Sequence, residues 1–196
     1  MALPKYDKSK RKITFEQLPK GAYVINILNA VEEENRNKAG SHLTISFDIA
    51  EGEYAGFYSN QYMQNTSEDK KWPRDAVFYL TLPAEGCSEY VWQNYHTFMS
   101  DVEDSNNGFQ FSSEIDPREM KNKLVGAKFA IEQNEYNGRV YNHTRMRWTC
   151  VADDVRNGKA GALPKDKLIE QAPPVSGSGP DWMKVPDGID DDLPFA

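Results

Sequence analysis

The sequence predicts a mainly β domain interrupted by one long helix, and three observations carry that expectation. Leu43, Ile45, Phe47 and Ile49 alternate with Thr44, Ser46 and Asp48, the period of a strand with one face in a core. Val91, Trp92, Tyr95, Phe98, Met99 and Val102 recur instead at helical spacing. Asn137-Gly138 stands between two further β-patterned runs. That pair signals a hairpin, because a two-residue type I′ turn needs positive φ at both central positions.

Taken in order, the first strand begins near Gly21, where Tyr23, Ile25, Ile27 and Val31 share a phase and Val24 and Leu28 imply burial on both faces. Residues 32–40 read as a polar turn or strand extension leading into the alternating run through Ile49. Residues 51–56 break the pattern. Residues 57–63 resume it as a third strand with Tyr58 and Tyr62 on one side. Trp72-Pro73-Arg74-Asp75 opens a short helix through Leu80, with Pro73 at its first position. The long helix spans residues 88–102, capped by Ser88 and ended by the polar run 103–108. A turn around residues 117–121 leads to a fourth strand, 124–132, with Val125, Ala127, Phe129 and Ile131 in phase, and the return strand runs over 139–150. Five antiparallel strands with a helix between the third and fourth match the order of an OB-fold-like barrel. An α+β sandwich of the same elements is the alternative.

The 196 residues suffice for one domain with tails. The divisions expected are a basic arm over 1–20, the folded domain over 21–157, a Pro/Gly/Ser-rich flexible linker over 158–189 and an acidic tip over 190–196. Trp182 and Met183 stand out as apolar residues in the polar tail. Net charge is −7, but it is unevenly spread: residues 176–196 hold five Asp against Lys184, which leaves −3 for the remainder. The opening stretch is basic, with Lys5, Lys8, Lys10, Arg11 and Lys12 against Asp7. Such an arm suits either a phosphate clamp or a solubilising extension. Cys87 and Cys150 are too few and too far apart for a disulfide framework or a CxxC metal site. No apolar run resembles a signal peptide or a membrane span, so a soluble, intracellular protein is expected.

The return strand carries the main binding signal. Its odd positions, Arg139, Tyr141, His143, Arg145 and Arg147, form a basic and aromatic face. Its even positions, Val140, Asn142, Thr144, Met146, Trp148 and Cys150, form a face that turns apolar toward its end. Single-stranded DNA needs that first mixture, cations along the phosphates and flat groups for bases to stack on. The plainer reading is a solvated face paired with Glu132 and Glu135 across the hairpin. Tyr58 and Tyr62, with Lys70, Lys71 and Trp72 in the loop beyond, are further stacking candidates that core packing explains equally well. Trp92, Tyr95 and Phe98 read as core or oligomer-interface residues. His42, His96 and His143 are isolated, and no metal-binding, phosphate-loop or nucleophile-elbow motif is present. A non-enzyme without cofactor or metal is expected.

The chain ends Asp190-Asp191-Asp192-Leu193-Pro194-Phe195-Ala196. Three carboxylates steer toward a basic partner, Leu193 and Phe195 can fill an apolar pocket, and Pro194 partly fixes the backbone before docking. The plainer reading is a solvated acidic tail. Asp-Asp-Asp-Leu-Pro-Phe resembles the acidic tip of bacterial and phage single-stranded DNA-binding proteins, and the match covers these six residues and the general layout. The resemblance implies an OB-fold that coats single-stranded DNA during replication, recombination and repair. It also implies a tip that recruits DNA-processing proteins, a phage or mobile-element origin, and a bacterial cytoplasm as the setting. This chain departs from the pattern at Ala196, which moves the terminal carboxylate on by roughly 3.5 Å. The rival expectation is a protein-interaction module or recombination accessory factor that uses the tip without touching DNA.

Overall fold

The computed structural model describes residues 5, 15–36 and 40–169. The acidic tip, most of the basic arm, and Trp182 and Met183 lie outside the described residues. Among the described residues five strands form one antiparallel sheet: β1 (Ala22–Glu34), β2 (Ser41–Ile49), β3 (Val77–Thr81), β4 (Leu124–Tyr136) and β5 (Arg139–Cys150), in the order β3-β2-β1-β4-β5. Three α-helices among the described residues complete it: α1 (Phe57–Gln64), α2 (Glu89–Ser105) and α3 (Ala152–Arg156). The sheet is open. Its edges, β3 and β5, approach each other without sharing a ladder among the described residues.

Alternation in β2 places Leu43, Ile45, Phe47 and Ile49 inside. They meet Ile25 and Ile27 of β1, Val125, Ala127 and Phe129 of β4, and Phe98, Met99 and Val102 of α2. Burying each of the larger side chains stabilises the fold by roughly 1.5–3 kcal/mol. Ser88 does occupy the N-cap of α2, although its side chain makes no capping hydrogen bond. At the other end, Asn106 ties α2 to β4. Its side-chain amide donates to Val102 O and Leu124 O, and its oxygen accepts from Leu124 N. Asn137 and Gly138, at φ 52° and 70°, make the expected hairpin turn. On the far side α3 presses so closely on β4 that a Cβ at Gly126 would lie 2.8 Å from Cys150 Sγ and from Val155 Cγ2.

Two bulges break the alternation that the sequence implies. In β1, Ile27 faces Phe47 but Asn29 faces Ser46, so Leu28 is an extra residue and the phase reverses. Val31, expected to share the core phase of Ile25 and Ile27, is exposed as a result. In β5, Met146 faces Phe129 while Trp148 faces Lys128, so Arg147 is the extra residue. Met146 stays in the core and Trp148 turns outward.

Four further expectations are corrected. Residues 57–63 are helical, not a third strand, because a carboxylate from β2 caps them: Asp48 Oδ1 accepts from Tyr58 N at 2.9 Å and Oδ2 from Ser59 N at 3.0 Å. Residues 72–80 are not a helix. A single 3₁₀ turn, Arg74–Ala76, follows Pro73 and gives way to β3, whose Val-Phe-Tyr-Leu-Thr run pairs with His42–Ser46. The arm does not extend to residue 20, since Leu18 is fully inside the core and Gln61 Nε2 donates to Glu16 O at 2.8 Å. Nor does the linker begin at 158. Pro164 is buried, and Lys167 lies parallel to β4, donating to Ile131 O and accepting from Gln133 N.

Candidate functional site

Between the two sheet edges runs a groove of about 760 Å³. β3 contributes Val77, Tyr79 and Thr81, and α2 contributes Tyr90, Val91, Asn94 and Thr97. The far wall is Arg145–Thr149 of β5, with Lys128 and Glu132 of β4. Three aromatic rings stand open to solvent here: Tyr79 is 57 % exposed, Tyr90 64 % and Trp148 49 %. Alternation alone could not find this set. Tyr79 reads as helical, Tyr90 precedes the helical stripe, and Trp148 falls on the apolar phase of β5 until the bulge at Arg147 turns it out.

Arg145 and Arg147 of β5 reach the groove already paired. Asp75, on the 3₁₀ turn before β3, lies 3.2 Å from His143 Nδ1 through Oδ2 and 3.5 Å from Arg145 Nη2 through Oδ1. Glu132 Oε2 is 3.2 Å from Arg147 Nη2 and 3.8 Å from Arg145 Nε, while Oε1 is 3.4 Å from Lys167 Nζ. The expected pairing across the hairpin thus holds for Glu132. Glu135 forms no ion pair among the described residues. Arg145, Arg147 and Lys167 against Asp75 and Glu132 leave one net positive charge. The network is also underbonded, because Arg145 Nε and Asp75 Oδ1 are buried without a hydrogen-bond partner among the described residues.

The other candidates separate into three places. Arg139 and Tyr141 are exposed on the outer half of the hairpin and do not line the groove. Tyr62, Lys70 and Trp72 come together as a cluster of their own. The Tyr62 and Trp72 rings are 5.7 Å apart, and Lys70 Nζ sits 4.6 Å from the Tyr62 ring centre. Trp72 Nε1 donates to Ala76 O at 3.2 Å, which fixes the indole, while Lys71 is exposed beside it. Tyr58 is 2 % exposed and meets Phe47 edge to face at 5.9 Å, so its ring offers no face to a base. Burial pushes its phenol well above the usual range.

A second, apolar hollow of about 310 Å³ lies by α2, lined by Trp92, Tyr95, Ile115, Pro117 and Met120 among others. Phe98 belongs to the core, whereas Trp92 is half exposed and stacked on His96 at 5.5 Å. Among the described residues no three His, Cys, Asp or Glu side chains converge as a metal ion would require, and no helix is long and apolar enough to cross a membrane. No protein-family model matches the chain, and no curated protein matches it.

Proposed function

We propose that this protein is a non-catalytic single-stranded DNA-binding protein that coats exposed strands and recruits DNA-processing proteins through residues 190–196. The observation that carries the reading is the groove between β3 and β5, where exposed Tyr79, Tyr90 and Trp148 stand beside Lys128, Arg145 and Arg147. Bases stack on such rings for roughly 1–3 kcal/mol each, without regard to sequence, while the cations follow the phosphates. The strand order supports an OB-fold-like reading of the domain. An OB barrel opened along the seam between its third and fifth strands has the order β3-β2-β1-β4-β5, with a helix between β3 and β4. The tip and the setting, a phage or mobile element in a bacterial cytoplasm during replication, recombination or repair, rest on the terminal motif.

One observation favours the rival, a protein-interaction module that uses the tip alone: Asp75 and Glu132 already neutralise much of the charge on β5. Substituting Arg145 and Arg147 together by Ala separates the two readings. Strand coating requires weaker binding to oligo-dT and a salt dependence shallower by about 1.4 in log–log slope, from about 0.7 per lost phosphate contact. Binding that is measurable and unchanged by the double substitution would remove this groove from the function.

A further inference from the structure

Glu132 occupies an unusual position for a carboxylate on a β-strand. It is 15 % exposed in its side chain and faces two guanidinium groups and an ammonium, with Arg147, Lys167 and Arg145 at 3.2, 3.4 and 3.8 Å. With Asp75 3.5 Å from Arg145 Nη2, three cations face two carboxylates and one positive charge is left over. The excess is located: Arg145 Nε is buried without a hydrogen-bond partner among the described residues, and Glu132 Oε2, 3.8 Å away, stands beyond hydrogen-bond reach. Charge-assisted contacts between such groups ordinarily close to about 2.7–2.9 Å. Glu132 reaches none of its three cations at that distance, whereas a phosphate presents more oxygens in a tetrahedral array.

We propose that Arg145, Arg147 and Lys167 form a phosphate site in which Glu132 is the resident anion that an incoming phosphodiester must displace. This rests on the strand-coating reading above and adds to it a built-in restraint. Lys167 belongs to the site although it comes from the segment after α3, which the parallel bridge at Glu132 holds against β4. Affinity for DNA is then set by competition between the strand and a carboxylate of the protein itself, so removing that charge strengthens binding.

The test is Glu132→Gln, which keeps the shape and removes the charge, measured by fluorescence anisotropy on labelled oligo-dT across salt. The expected result is binding tighter by about tenfold at low salt, with the gain shrinking as salt screens the cluster. Wild-type binding that Glu132→Gln leaves unaltered overturns the site while leaving strand coating intact. Binding by Glu132→Gln where the wild type shows none upholds the site and makes the restraint complete. Binding by neither removes both readings. Should Glu132→Gln fail to fold, Lys167→Gln, at a largely exposed side chain, decides instead. It should weaken wild-type binding and lower the salt slope by about 0.7, and no change overturns the site. Inorganic phosphate at matched ionic strength should fail to displace the oligonucleotide. Displacement at low millimolar phosphate would show that the free anion competes with the phosphodiester for this same site.

Discussion

Asp48 illustrates how much single side chains decide here. Its carboxylate is buried and accepts from three backbone amides, those of Ile49, Tyr58 and Ser59, so it both closes the end of β2 and starts α1. Asp48→Ala strands those donors and should lower stability by about 2–4 kcal/mol in a denaturant titration. Asp101 works the other way. Desolvation raises its carboxyl pKa, with Thr149 and Lys128 opposing, and Oδ2 is buried without a partner among the described residues. The folded state therefore holds its proton to higher pH than the unfolded chain does. Stability from this group rises as pH falls through the raised pKa, and the destabilisation is fully present above it. Asp101→Asn should raise the melting temperature at neutral pH, and the advantage should vanish at acid pH, below the ordinary carboxyl pKa. A variant less stable than wild type at pH 7 would contradict this.

At the scale of elements, the sequence was readable where one periodicity acts alone. The alternation of β2, the helical stripe of α2 and the Asn137-Gly138 turn all appear as the residues require. Residues 57–64 were ambiguous because Tyr58 and Tyr62 are four apart, a spacing that puts them on one side of a strand and of a helix alike. The choice is made by Asp48, which no local pattern can reveal. The bulges at Leu28 and Arg147 were equally hidden, since each depends on the register of a neighbouring strand. The second matters for the proposed strand binding, because it carries Trp148 from the core phase to the groove. Trp148→Ala should accordingly weaken oligo-dT binding by roughly 1–3 kcal/mol while costing little stability. A large loss of stability with unchanged affinity would return this residue to a packing role.

For the whole molecule, the formal charge of −7 argues against a nucleic-acid partner until its placement is considered. The acidic excess gathers toward the last residues, while the groove between the sheet edges retains a net positive charge beside three open rings. Alternation in β5 groups Arg145 and Arg147, which line the groove with Glu132 as their partner, but it also groups Arg139 and Tyr141 with them, and these lie outside the groove. Asp75 was not legible, because it reaches β5 from the turn before β3, far away in the chain. The decisive measurement is fluorescence anisotropy of labelled oligo-dT with the full chain at low and moderate salt, using a matched duplex as competitor. Strand coating requires salt-sensitive binding that the duplex fails to displace. Absence of binding at low salt, or displacement by duplex as readily as by single strand, would contradict it.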